Sequence, residues 1–372
     1  MWLRALRLES FRNFPSLALE LEAGLNFFFG PNGSGKTSIL EAVSCLAVTR
    51  SLRGSSDLEV VKWGEGGFGV GGELRDDVAS RSIVLRFSRG GAKEVTVDGE
   101  RLAKLSDLLG IFRVAWFSPE DTWLTKGGPE ERRRLIDMTL CQIDPAYLAA
   151  LASYRRALRQ RNEALLAWTP DEEADRLVEV WTDRLVEYGS RVVASRLALL
   201  PRLARSVADF HSAIADGDSI ELRYRSSIGL GAESSPPDEE FVRRRFLESI
   251  GRREADERRR GCTLVGPHRD DLDVRLDGRP LRSFGSQGQH RTAAIALKLG
   301  EAAVLAADGR GAVVLLDDIL SELDERRAAK LVLLVRSLGQ ALVTSTRPAP
   351  SGILDSGGSA SFRVEAGEVV RQ

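Results

Sequence analysis

Apolar and polar residues alternate along Trp2 to Leu8 and again along Leu17 to Leu21, the period-two pattern of strands with one buried face. Leu25 to Phe29 is a short continuous apolar run that ends in Gly30, as a strand buried on both faces would. A helix is predicted from Lys36 on the spacing of Ile39, Leu40, Val43 and Leu46. Ile83 to Phe87, Glu94 to Val97 and Arg113 to Phe117 read as further strands, with Asp98-Gly99 as a tight turn. From about 118 to 286 the period becomes helical. Tyr147, Leu151, Tyr154, Leu158 and Leu165 recur at near-heptad spacing, as do Leu177, Trp181, Leu185, Tyr188, Val192 and Leu199. Between them Thr169-Pro170-Asp171-Glu172 offers an N-cap, a proline at the first helical position and a carboxylate at the third, so the pair predicts a helical hairpin. A helix from Pro145 to Trp168 would be roughly 35 Å long, which suits a lid or short arm and not a long coiled coil. Ser226 to Pro237, rich in Gly, Ser and Pro, reads as a surface loop. Beyond Gln287 the pattern predicts a helix from Gln289 to Ala307, an apolar strand Ala312 to Leu316, a helix from Asp324 and a strand Ala341 to Ser345. Two closing strands are expected from Gly352 onward, with a turn at Ala366-Gly367. The fold class expected is therefore α/β, with a discontinuous α/β lobe over 1–117 and 287–372 and a mainly helical lobe over 118–286.

Composition narrows the function classes. The chain has 372 residues, 43% of them hydrophobic, enough to bury at least one sizeable core. No run of about 18 apolar residues exists to span a bilayer, and the N-terminus lacks the pattern of a secretory signal, so a cytoplasmic location without a membrane partner is expected. Cys45, Cys141 and Cys262 are far apart, with no C-x-x-C spacing, and predict neither a disulfide framework nor structural zinc. A net charge of −1 supplies no global field toward nucleic acid, so any such contact must come from local patches.

The strongest chemical signal is Gly30-Pro31-Asn32-Gly33-Ser34-Gly35-Lys36-Thr37, which fits G-x-x-x-x-G-K-[ST] between an apolar strand and a helical pattern. Glycines let backbone N–H groups turn inward on phosphates at a helix N-terminus. Lys36 is expected on the β- and γ-phosphates of a nucleotide and Thr37 on Mg²⁺. This motif alone leaves kinases, GTPases, helicases and transporters open. Val313 to Leu316 is a buried strand ending in Asp317 and Asp318, which predicts Asp317 as a metal ligand and Asp318 as the carboxylate that polarises the attacking water. Ser283-Phe284-Gly285-Ser286-Gln287-Gly288-Gln289 contains S-x-G-Q before a helix, and Ser286, Gly288 and Gln289 are assigned to a γ-phosphate. By itself that tetrapeptide also fits a polar loop with a helix cap.

Together the phosphate loop, the acidic strand, Ser321-Glu322-Leu323-Asp324 after it and the S-x-G-Q segment resemble an ABC-type ATPase head. In that family the signature serves nucleotide held by the other subunit, so the resemblance implies an ATP-dependent, two-fold homodimer. Further segments resemble the RecF family, head-only relatives of the SMC proteins. These are Leu8-Glu9-Ser10-Phe11-Arg12-Asn13-Phe14, Ser38-Ile39-Leu40-Glu41-Ala42, Phe117-Ser118-Pro119-Glu120-Asp121 and Lys126-Gly127-Gly128-Pro129. Arg132-Arg133-Arg134-Leu135-Ile136-Asp137, Arg159-Gln160-Arg161-Asn162 and Gly266-Pro267-His268-Arg269-Asp270-Asp271 complete the set. The resemblance implies a weak DNA-stimulated ATPase acting as a DNA-binding clamp in recombinational repair and replication-gap processing. It implies double-stranded DNA near single-strand gaps, single-stranded DNA, and RecO- and RecR-like mediators of RecA loading as partners. An ATP-switched scaffold with secondary DNA contact is the alternative. A transporter subunit is disfavoured, because Leu342 to Thr346 carries no histidine where transporters have one, and only Thr344 to Thr346 remain as a sensor there. Arginines at 132–134, 155, 156, 159, 161, 243–245 and 258–260 suit phosphate contacts, although acidic neighbours also fit a solvated ion-paired face. His268 and His290 fit a catalytic role less well than a structural or interface one.

Overall fold

The alternating N-terminal segments build a six-stranded antiparallel sheet in the spatial order Phe14–Glu20, Trp2–Phe11, Gly67–Arg75, Ser80–Ser88, Glu94–Val97, Glu100–Arg101. The structure is a computed structural model and describes all residues except 52, 77–78, 216, 232–236 and 350–357, with backbone alone at 322 and 325. Gly67–Arg75 is central in this sheet, yet no pattern in the sequence marks it. Its alternate positions are glycines, which contribute no side chain to a period-two signal and disfavour a strand by propensity. Gly72, outside that alternation, has a steric use. A Cβ on Gly72 would lie 2.6 Å from Leu46 Cδ1 and 3.0 Å from Leu3 Cδ1, so glycine is what lets helix Lys36–Val48 rest on the sheet.

A second six-stranded sheet has the order Glu368–Arg371, Ala360–Glu365, Leu25–Phe29, Ala341–Ser345, Val313–Asp317, Val114–Phe117. All but the first of these are parallel to their neighbours. Helix Lys36–Val48 touches strands of both sheets, and its residues are buried almost all the way round. That explains its lack of a polar face, since a helix enclosed by two layers has no solvent side. These sheets, with Asp209–Asp216, make up one unit, Met1–Asp121, Asp209–Asp216 and Ala294–Gln372.

The other unit comprises Thr122–Ala208 and Gly217–Ala293. Its hairpin consists of Pro145–Leu166 and the start of Glu172–Ile214, a helix of 43 residues that accommodates Pro201. The cap between them differs from expectation. Asp171, not Thr169, accepts the free N–H groups of Glu173 and Ala174, at 3.1 and 2.8 Å, so the helix begins two residues later. The unit also holds a small antiparallel sheet, Arg279–Pro280, Asp271–Leu276 and Ile220–Arg225, where the sequence pattern predicts mainly helix. The predicted loop at Ser226 to Pro237 lies partly outside the described residues, as does the stretch from Gly352 to the closing strands.

Several arginines suited by sequence to phosphate contacts are structural. Arg161 is buried and donates to Glu257 at 2.7 Å, Thr263 at 2.9 Å and Thr182 at 2.8 Å. Arg132 is buried on Asp271, at 2.8 and 3.0 Å. Asn162 Oδ1 accepts the Thr263 N–H at 2.8 Å, and the buried Asp270 accepts from Tyr224 at 2.7 Å and from the Ser227 N–H at 2.7 Å. The Arg159-to-Asn162 and Gly266-to-Asp271 segments thus supply the polar core of this unit, where a buried charge is tolerated only with its partners in place. His268 belongs to that core. The Tyr154 hydroxyl lies 2.5 Å from its Nδ1 and the Thr263 carbonyl 3.3 Å from its Nε2.

Candidate functional site

Parallel pairing brings the ends of three strands together. Asp317 stands in register with Thr344, and Ser345 with Phe29, so the acidic strand, the Thr344 strand and the strand entering the phosphate loop finish side by side. Carboxyl ends of parallel strands are where α/β sheets collect ligands. From Phe29 the chain turns through Gly30 to Gly35 into the helix at Lys36. Gly35 has φ 111°, and a Cβ there would come within 2.6 Å of the Asn13 side chain and 2.8 Å of Phe14, so only glycine fits.

The Phe11-to-Phe14 turn braces this loop. Asn13 Nδ2 donates to the Ser34 carbonyl at 3.0 Å. Arg12 donates to both carboxylate oxygens of the fully buried Glu41, at 2.7 and 2.6 Å, on the helix that follows the loop. Lys36 Nζ donates to the carbonyls of Gly30 and Pro31, each at 2.8 Å. Burial lowers its pKa from the usual lysine value, against the opposing pull of Asp318 and Asp317.

Thr37 Oγ1 donates to Asp317 Oδ1 at 2.8 Å. Thr344 Oγ1 donates to that same oxygen at 2.9 Å and accepts the Asp318 N–H at 2.9 Å. Burial raises the Asp317 carboxyl pKa, and the two hydroxyl bonds pull it back down. Asp318 has φ 52° and ψ 22°, a left-handed conformation uncommon outside glycine. Its Oδ1 and Ser34 Oγ are buried without a hydrogen-bond partner among the described residues. Unpaired buried oxygens beside a second carboxylate suit a hard cation, and Thr37, Asp317 and Asp318 offer only oxygen donors. No group of three or more His, Cys, Asp or Glu able to hold a metal ion exists among the described residues.

A cleft of about 830 Å³ is lined by Asn32, Gly33, Gly35, Lys36, Thr37, Asp317 and Asp318, a volume suited to a nucleotide. Its lining also includes Arg53, Lys62, Trp63 and Thr344. Arg53, Lys62 and Trp63 fall in no motif of the sequence. Trp63 is 95% exposed, and no periodicity marks a lone surface aromatic in a glycine-rich stretch. Gly30, Pro31 and Ser34 form the body of the loop behind this lining.

Ser286, Gly288 and Gln289 belong to the other unit. Ser286 Oγ accepts the Gln289 N–H at 3.3 Å, and Gln289 Oε1 accepts the Ser286 N–H at 2.9 Å, a reciprocal cap on helix Gln287–Ala306. Gln289 Nε2 also donates to Asp218 at 2.8 Å. Ser286 and Gly288 are exposed at a helix start, where free N–H groups favour an anion. His290, one turn on, is buried with Nδ1 2.9 Å from the Thr125 hydroxyl.

Residues 2–351 match the RecF/RecN/SMC N terminal domain family. The DNA replication and repair protein RecF of Bacillus cytotoxicus is 36% identical over 348 residues, 93% of this chain and 92% of that protein. RecF of Chloroflexus aurantiacus is 37% identical over 393 residues, 99% of each. A solved structure of the recombination mediator protein RecF-ATP in the RecFOR pathway superposes with a TM-score of 0.89 at 32% identity, covering 100% of this chain and 97% of that one. An Smc head bound to the C-winged helix domain of ScpA, with a TM-score of 0.57 at 15% identity, shares the fold. Matched in sequence and structure over nearly its whole length, this chain belongs to the RecF family of the RecF/RecN/SMC group of ATPases.

Proposed function

We propose that the chain is an ATP-dependent DNA-binding clamp of recombinational repair and replication-gap processing, which closes as a homodimer on ATP and is reset by slow hydrolysis. The observation that carries the reading is the set Thr37, Asp317, Thr344 and Asp318, joined by hydrogen bonds at the end of the phosphate loop with one Asp318 oxygen buried and unpaired. Inward backbone N–H groups and Lys36 hold the β- and γ-phosphates. Thr37 and Asp317 would hold Mg²⁺, which neutralises charge on the phosphates. Asp318 orients and polarises the attacking water. Ser286 and Gly288 of a second copy close over the γ-phosphate, which makes the nucleotide part of an isologous interface.

DNA and mediator roles rest on the relatives, whose names place them in DNA replication and repair and in the RecFOR pathway. By that likeness the partners are double-stranded DNA near gaps, single-stranded DNA and RecO- and RecR-like proteins, with RecA loading as the outcome. The exposed arginines Arg156, Arg159 and Arg260, which carry no ion pair among the described residues, are suited to phosphate. No helix among the described residues is long and apolar enough to cross a membrane.

The test is ATP turnover with and without gapped DNA, together with Asp318→Asn. The variant is expected to lose about 10²-fold or more in rate while binding ATP and accumulating as a dimer that holds DNA longer. A variant that hydrolyses normally, or wild-type protein that stays monomeric with ATP and Mg²⁺ at micromolar concentration, overturns this proposal.

A further inference from the structure

We infer that Thr344 is a positioning residue for hydrolysis, its one hydroxyl setting the conformation of both aspartates at once. This inference rests on the ATPase reading above. Thr344 is fully buried on the strand beside the acidic one, in register with Asp317. Its Oγ1 has one proton, and the carboxylate oxygen Asp317 Oδ1 at 2.9 Å takes it. The lone pairs of the same oxygen receive the Asp318 N–H at 2.9 Å.

That second bond is the consequential one. Asp318 leaves the strand with a positive φ of 52°, a conformation an L-residue holds only where its surroundings over-determine it. At this turn Asp318 N–H has left the strand ladder, and the Thr344 hydroxyl is the acceptor that fixes the peptide. The side chain then projects from a fixed backbone, with Oδ1 buried and unpaired. Thr37 already donates to Asp317 from the phosphate-loop side at 2.8 Å. Thr344 therefore supports the metal-binding carboxylate from behind while aiming its neighbour. In transporter-type ATPases a histidine follows this strand and meets the γ-phosphate. The described strand here instead offers a hydroxyl bonded to both aspartates.

Valine has nearly the shape of threonine but neither donates nor accepts, whereas serine keeps the hydroxyl. Thr344→Val is expected to bind a fluorescent ATP analogue with Mg²⁺ within about 3-fold of wild type and to dimerise on ATP, with kcat lowered about 10- to 100-fold and KM little changed. The ATP-bound dimer, followed by sedimentation after dilution, is expected to persist correspondingly longer. Thr344→Ser should restore kcat to within about 3-fold of wild type. Thr344→Val turning over at the wild-type rate while Asp318→Asn is inactive overturns the inference and leaves the ATPase reading standing. Parallel loss of binding, melting temperature and kcat in both Thr344 variants also overturns it, because the residue is then merely structural. Wild-type protein that neither hydrolyses ATP nor dimerises removes the ATPase reading itself.

Discussion

Arg12→Ala tests how the turn after the first strand supports the phosphate loop. Glu41 is fully buried, and Arg12 meets both of its carboxylate oxygens, at 2.7 and 2.6 Å. With Arg12 gone, the Ser51 hydroxyl at 2.5 Å is left as a neutral donor to a buried charge. The guanidinium also donates to the Glu59 carbonyl at 2.8 Å and to Ser55 at 2.6 Å. Breaking a buried pair by removing one partner costs about 3–5 kcal/mol. The Arg12 side chain is 23% exposed, so water reaches the space it leaves, and the lower end of that range, about 3 kcal/mol, is expected. In a unit of roughly 200 residues each kcal/mol moves the midpoint by about 2–4 °C, so the melting temperature should fall by about 6–12 °C. Calorimetry of wild type, Arg12→Ala and Arg12→Ala/Glu41→Gln reads this directly. The double variant, with no buried charge left unpaired, should recover a substantial part of the loss. A fall of less than about 2 °C, or a double variant no more stable than the single, would refute the argument.

Lys36→Arg should abolish hydrolysis while keeping part of the nucleotide affinity, because a planar fork replaces a compact ammonium that now reaches two loop carbonyls; turnover and fluorescent-nucleotide titration check it. Gly72→Val should destabilise by about 1–3 kcal/mol in denaturant melts, since its Cβ would meet Leu46 and Leu3, whereas Gly71→Ala, with its nearest neighbour at 3.7 Å, should be far milder. His268 gives a pH dependence. Burial lowers its pKa to about 4 from 6.5, so the unfolded chain binds the proton more tightly. Its contribution is full above about pH 6.5 and is lost as pH falls toward 4, by about 3 kcal/mol in all. Urea midpoints across that window should show a slope in wild type that shrinks in His268→Gln.

Local chemistry was legible in the sequence wherever one short segment carries the whole reason for its form. The strand Leu25–Phe29, the helix from Lys36 and the strand Ala341–Ser345 follow from apolar spacing and from the glycines between them. The helix expected from Asp324 begins there, with the Asp324 side chain accepting the Arg327 N–H at 2.9 Å. Strand Gly67–Arg75 was illegible because its glycines leave no period-two signal, and Gly72 answers to Leu46 and Leu3, residues far away in the chain. The small sheet around Asp271–Leu276 likewise exists only through pairing with Ile220–Arg225.

The same division runs through the site. Residue type and spacing pointed to a phosphate loop and to a strand ending in two carboxylates, with the strand Val313–Asp317 and the helix from Lys36 standing where expected. They could not say which arginines are surface and which are core. Arg159 and Arg161 are two residues apart on one helix, yet one is exposed and the other is locked onto Glu257. Nor could they show that Thr344 answers to Asp317 and Asp318, or that Trp63 lines the same cleft as Lys36 and Thr37. Those facts depend on strand register and on which segments fold against each other. Register is set by burial summed over whole sheets, so no segment of the chain contains it until the tertiary structure closes.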